Sequence, residues 1–181
     1  DSMKRFVLGV CATGFIAAAV HAAGPAGPPF DLEAIRTDPL EAQTVQTEVT
    51  DGMVVEHVTF NGDRDREGKF IRLSGILARP EGGQNLPGLL WCQGGMADAS
   101  TVFPLLFARK GYVCLCISLA KQTWDAVGKF NAADPKDANL VRFAVEQMRG
   151  VTYIASRAEV DANRLGVAGA SYGGVFSTFV A

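Results

Sequence analysis

Ser171 stands between two glycines in the run Gly169-Ala170-Ser171-Tyr172-Gly173. The Gly-x-Ser-x-Gly spacing suits a sharp turn from a strand into a helix, one that presents a serine hydroxyl as a nucleophile toward a carbonyl carbon. Such a turn forces the serine into a strained backbone. Glycines on either side let strand and helix pass closely. A plain turn with a helix-capping serine is the simpler alternative. A dinucleotide fingerprint is the other glycine-rich possibility, but Gly166, Gly169 and Gly173 do not fit G-x-G-x-x-G, and no acidic residue follows to bind a ribose.

A serine nucleophile needs a base, because its protonated hydroxyl attacks poorly. Ten residues follow Ser171, from Tyr172 to Ala181, and none is Asp, Glu or His. The two histidines of the chain are His21 and His57. His57 alternates with Val55 and Thr59, as expected of a half-exposed strand position. Asp125 falls in a loop and Asp134 at a helix start, so neither is assigned a catalytic role.

The elements that would position the serine follow from the apolar pattern. Asp31 to Ala42 holds a short helix broken at Pro39. Met53 to Phe60 and Phe70 to Ala78 are strands, with Asn61 to Lys69 a hairpin loop between them and Pro80 to Pro87 a second turn. Alternation then begins. Leu89 to Cys92 is a strand leaving through Gln93-Gly94-Gly95, and Ser100 to Lys110 is a helix closed by Gly111 at C′. Tyr112 to Ile117 is a continuous apolar strand, as in a parallel sheet buried on both faces. A loop, Leu119 to Ala133, carries Trp124 and Phe130. The next helix has Asp134 as N-cap and Pro135 at N1, with Leu140, Ala144, Met148, Val151 and Ala155 on its apolar face. Arg164 to Ala168 is the strand before the serine, and Gly173 opens a final helix. The order predicts an α/β fold, a mostly parallel sheet with helices on both faces.

With Asp161-x-x-Arg164-Leu165-Gly166 leading into Gly169-Ala170-Ser171-Tyr172-Gly173-Gly174, the chain resembles the α/β-hydrolase superfamily. It is most similar to the dienelactone hydrolase, acetyl xylan esterase and prolyl-oligopeptidase-like branches. The resemblance covers about Met53 to Ala181, roughly the front half of such a domain. It implies Ser171 as nucleophile, and an oxyanion hole from the backbone amides of Tyr172 and a residue near Gly95. Gln93 stands where that family usually has His. It further implies an ester hydrolase working through an acyl-enzyme, with a carbohydrate or other small-molecule ester as substrate and no metal or organic cofactor. A serine peptidase of the prolyl-oligopeptidase type is the alternative activity. Because the family's acid and histidine follow the serine, the chain is expected to be truncated after the elbow and inactive alone. Two other possibilities are a non-catalytic binding module with an open sheet edge, and a second chain that supplies acid and base.

Composition bounds the rest. The chain has 181 residues, 48% hydrophobic and 20% charged, consistent with one globular domain. A net charge of −2 gives no electrostatic case for nucleic acid or an anionic membrane. Met3-Lys4-Arg5 followed by the uncharged stretch Phe6 to Val20 reads as a signal peptide, cleaved near Ala22 or Ala23. Residues 1–23 are thus a signal segment (Asp1 and Ser2 being non-native or upstream), 24–50 a linker and N-terminal segment, and 51–181 the hydrolase portion. The expected location is secreted or periplasmic, without a stable membrane anchor after cleavage. Cys11 is a poor candidate for lipid attachment, because the bulky Val10 precedes it and little apolar sequence lies before it. Cys92, Cys114 and Cys116 fall in buried strands and read as packing residues, with no zinc spacing among them.

Overall fold

The computed structural model describes residues 30–65, 67–95, 97–119 and 139–181. The signal segment, most of the Leu119 to Ala133 loop and the Asp134-Pro135 helix start lie outside the described residues. Helix α1 (Leu32–Thr37) leads into strands β1 (Gln43–Thr50), β2 (Met53–Arg64), β3 (Phe70–Pro80) and β4 (Leu86–Cys92). Helix α2 (Val102–Ala108), strand β5 (Val113–Ser118), helix α3 (Asn139–Ala155), strand β6 (Val160–Gly169) and helix α4 (Tyr172–Val180) follow.

Six strands form one sheet in the order β1-β2-β3-β5-β4-β6. The first three pair antiparallel, β3 pairs antiparallel with β5, and β4 lies parallel between β5 and β6. Helices cover both faces. On one face, α3 and α4 press Phe143, Tyr153, Ile154 and Phe176 onto Val58, Phe60, Leu77, Leu90, Leu115 and Ile117. On the other, α2 sets Ala108 against Val55, Ile76 and Ala78. The alternation of Leu115 and Ile117 with Cys114 and Cys116 explains why β5 is apolar throughout: each face meets a different helix layer.

The predicted cysteine environment holds. Cys92, Cys114 and Cys116 are free and buried. Burial raises all three thiols, that of Cys92 up to about 12, so they are packing groups rather than nucleophiles.

Several expectations need correction. The hairpin loop does not begin at Asn61, because β2 runs on to Arg64 and pairs there with Phe70. The unpredicted strand β1 pairs with β2 through a two-residue turn, Asp51 at φ 50° and Gly52 at φ 72°. These are the left-handed conformations that an Asp-Gly hairpin turn requires. Helix α2 is shorter than predicted and ends at Ala108 with Arg109 as C-cap, so Gly111 (φ 87°) terminates the following turn rather than sitting at C′. On α3 the predicted apolar face is one part of a wider buried stripe. Ala144 is buried and Val151 packs against the core as predicted, but Leu140 is exposed, and Phe143, Gln147, Gly150 and Ile154 are buried too, as are Glu146, Arg149 and Tyr153. The sheet lies beneath α3, with α1 and α4 also packed against it, so its buried stripe is wider than one apolar row.

Two polar assemblies fasten the antiparallel flank. Arg149, only 1% exposed, donates from Nε to Asn61 O (3.1 Å), from Nη1 to Ile35 O (2.7 Å) and from Nη2 to Pro39 O (3.2 Å). Asn61 Nδ2 also donates to Pro39 O. One side chain thereby ties α1 and the chain entering β1 to α3. At the opposite end of the strands, Arg157 reaches Glu56 (2.9 Å) and Glu159 (2.7 Å), and Arg79 reaches the same two carboxylates at 3.3 Å.

Candidate active site

Strands β4 and β6 run side by side and end together, Cys92 opposite Gly169. Gln93-Gly94-Gly95 and Ala170-Ser171-Tyr172 therefore leave the sheet as neighbours, at the carboxyl ends of parallel strands, where α/β sheets place their ligands. The register arises upstream. Pro87 pairs with Asp161 but Gly88 pairs with Leu165, so Ala162, Asn163 and Arg164 bulge out of the ladder. Asp161 holds the bulge, accepting from Asn163 N (3.0 Å) and Arg164 Nε (2.7 Å), while Arg164 also donates to Asn85 O. The Arg164 hydrogen bond lowers the Asp161 carboxyl below its ordinary value and keeps it ionised.

The turn itself is tight. Ser171 sits at φ 56°, ψ −125°, one of four non-glycine residues with positive φ among those described. Such a conformation costs about 1–3 kcal/mol and persists only where surrounding structure imposes it. Here the neighbours do so. A Cβ on Gly173 would fall inside contact distance of Cys92 O and 3.0 Å from the Gln93 carbonyl carbon. A Cβ on Gly169 would clash with Gly173 O and stand 2.8 Å from Cys92 O. Both glycines are thus fixed by sterics, as the sequence predicts.

The Ser171 hydroxyl makes no capping hydrogen bond to α4, and the residue is exposed. The capping alternative raised by the sequence is thereby excluded. In the first turn of α4, Gly173 N donates to Ala170 O (2.9 Å), while Gly174 N and Val175 N donate to Ser171 O. The Tyr172 amide donates to none of the described residues. Helix first-turn amides without partners carry partial positive charge and suit an anion. On the β4 side of the corner, Gly95 takes φ 64°. Gly94 packs so closely that a Cβ there would lie 2.6 Å from Ala170 O and 3.4 Å from Ser171 Cβ. Phe176, fully buried, anchors α4 edge-on to Phe143 at 5.9 Å between ring centres.

The structure brings Ser171, Gly169, Gly173, Tyr172 and Gly95 to one corner, but not His57. That residue lies within β2, paired with Gln46 and Ile76, and β2 is four ladder steps from β6. At the usual strand spacing this is roughly 19 Å. Its half-buried strand position is as predicted. His21, Asp125 and Asp134 lie outside the described residues.

One feature at the corner escaped the sequence reading. Gln93 Oε1 accepts the indole N–H of Trp91 at 3.1 Å and lies 3.9 Å from Cys116 Sγ. Trp91 in turn stacks on Phe103 of α2, 3.8 Å between ring centres. Trp91 and Gln93 are two residues apart, so an extended chain puts them on one face, and that spacing was the available signal. A cavity of about 350 Å³ lies elsewhere, bounded by Asp31, Asp38, Asp63, Arg64, Val145 and Arg149. Ser171 does not line it. Among the described residues no group of His, Cys, Asp or Glu could hold a metal, and no helix is long and apolar enough to cross a membrane.

Neither a family profile nor a curated protein matches the sequence. Solved structures do. An acetyl xylan esterase from Paenibacillus sp. R4 aligns over 82% of this chain and 52% of its own, with a TM-score of 0.63 and 22% identity. Acetyl xylan esterase 1 from Thermoanaerobacterium sp. JW/SL YS485 aligns over 82% and 50%, at TM-score 0.63 and 16% identity. A glucuronoyl esterase from Solibacter usitatus covers 87% and 50%, at TM-score 0.53 and 14% identity. The likeness is one of fold: a mixed six-stranded sheet with helices on both faces, shared with these esterases over the aligned part. The chain spans about half the length of these esterases.

Proposed function

We propose that this chain carries the nucleophile and oxyanion site of an exported serine esterase. One observation carries this reading: Ser171 is held at positive φ with its hydroxyl uncapped and exposed, beside a Tyr172 amide that donates to none of the described residues. Ser171 Oγ attacks the ester carbonyl carbon while a base takes its proton. The carbonyl oxygen, now an anion, settles between the amides of Tyr172 and a residue near Gly95. Collapse expels the alcohol, which takes a proton, and leaves an acyl-serine that water hydrolyses to the free acid. Each step is proton transfer and acyl transfer, and needs no metal or organic cofactor. The base comes from outside the described residues, since His57 is remote.

An esterified carbohydrate, an acetylated one first, is the substrate class this reading favours. The basic and apolar N-terminal segment argues for export to where polysaccharides are met, and the similar structures include esterases titled for acetyl xylan and glucuronoyl substrates. Residues 1–23 would then be removed and 51–181 would form the hydrolase portion.

The test is labelling of the purified chain by a fluorophosphonate, with and without free imidazole as a diffusible base. Slow labelling that imidazole accelerates at least about tenfold, and that vanishes in Ser171→Ala, is expected. A folded chain labelled no better than Ser171→Ala, with imidazole present, would sink the assignment.

A further inference from the structure

We propose that Gln93 is a positioning residue, holding the Gly94-Gly95 arm of the oxyanion site in place through its hydrogen bond with Trp91. Its functional consequence rests on the esterase reading above. Its geometric part does not.

The indole N–H can only donate, so it is the carboxamide oxygen of Gln93, not the nitrogen, that faces Trp91. The thiol of Cys116, fully buried in β5, approaches the same oxygen from the neighbouring strand. Trp91 is itself immobilised by its stack on Phe103 and by a tilted contact with Phe107 at 6.0 Å. The side chain of Gln93 is therefore tied to three elements, β4, β5 and, through the indole, α2. Its backbone is jammed against the first turn of α4, where Gly173 leaves no room even for a methyl group beside the Cys92 and Gln93 carbonyls. The next two residues are glycines, the most flexible of all, one of them in a left-handed conformation. Without a fixed point just before them, nothing in the chain's own preferences would keep their amides aimed at the oxygen that Ser171 creates. Gln93 supplies that point.

The full 181-residue chain gives the test. Gln93→Met keeps the shape and removes the acceptor. Gln93→Glu keeps an acceptor for the indole. Trp91→Phe keeps a stacking ring and removes the donor. Backbone amide order parameters of Gly94 and Gly95 are expected to be rigid in the parent, near about 0.85, and to fall below about 0.6 in Gln93→Met and Trp91→Phe but not in Gln93→Glu. Imidazole-assisted labelling of Ser171 should slow by about tenfold or more in the same two variants, with Tm almost unchanged. The double variant should be no slower than either single one. Order parameters unmoved in Gln93→Met overturn the proposal whatever the labelling does. If they fall while the parent is not labelled above Ser171→Ala, the positioning role stands and the esterase reading alone is lost. If labelling is unchanged while they fall, the loop does not serve the reaction and the functional part is overturned.

Discussion

The elbow at the end of β6 and the Arg149 corner on the antiparallel flank are built by opposite means. At Arg149 every nitrogen of the guanidinium finds a carbonyl, and the group is sealed from water. At the elbow the fit comes from missing side chains, Gly169, Gly173 and Gly94, and among the described residues nothing caps with the Ser171 hydroxyl or accepts from the Tyr172 amide. Closed polar groups add stability in the first region. Open ones stand ready for the proposed chemistry in the second, at a cost in backbone strain that the packing of β4 against α4 imposes.

The sharpest way to break the comparison is Gly173→Ala. Its Cβ meets backbone carbonyls that cannot rotate away, so a loss of more than about 4 kcal/mol is expected, read as a collapse of the urea midpoint. A midpoint within experimental error of the parent would show that the elbow is looser than described. Arg149→Met comes next. It removes the three hydrogen bonds that the buried guanidinium makes to the Ile35, Pro39 and Asn61 carbonyls, and about 3–5 kcal/mol should disappear, with hydrogen-exchange protection lost first in α1 and the end of β2. Uniform loss of protection would mean that the corner has no local role. The smallest effect runs the other way. Ser171→Gly removes positive-φ strain and should raise stability by about 1 kcal/mol, seen as a Tm a few degrees higher, even as labelling is abolished. A lower Tm would mean that the serine is unstrained in solution.

How far each region could be read from sequence follows the same division. The elbow was legible because its requirements are local: two glycines around a serine, after a strand and before a helix. The buried strand β5 was legible because both its faces are apolar. Strand β1 was not, since all eight of its residues are exposed and mostly polar, although Asp51-Gly52 marked its turn. Nothing beside Arg149 in the chain marks its role, because its acceptors lie about 90 to 115 positions away. The tie between Gln93 and Trp91 required knowing that α2 would clamp the indole. Local sterics leave a mark in the sequence; long-range hydrogen-bond acceptors do not.

The bulge at Ala162, Asn163 and Arg164 has a consequence for how this site tolerates change in chain length. In an unbroken strand, one residue gained or lost would reverse the side on which everything after it emerges, and Ser171 would point into the wrong layer. Three residues held outside the ladder, clipped by Asp161 and Arg164, uncouple the number of residues in β6 from the height at which it ends. The strand carries its own slack, stored at the end farther from Ser171.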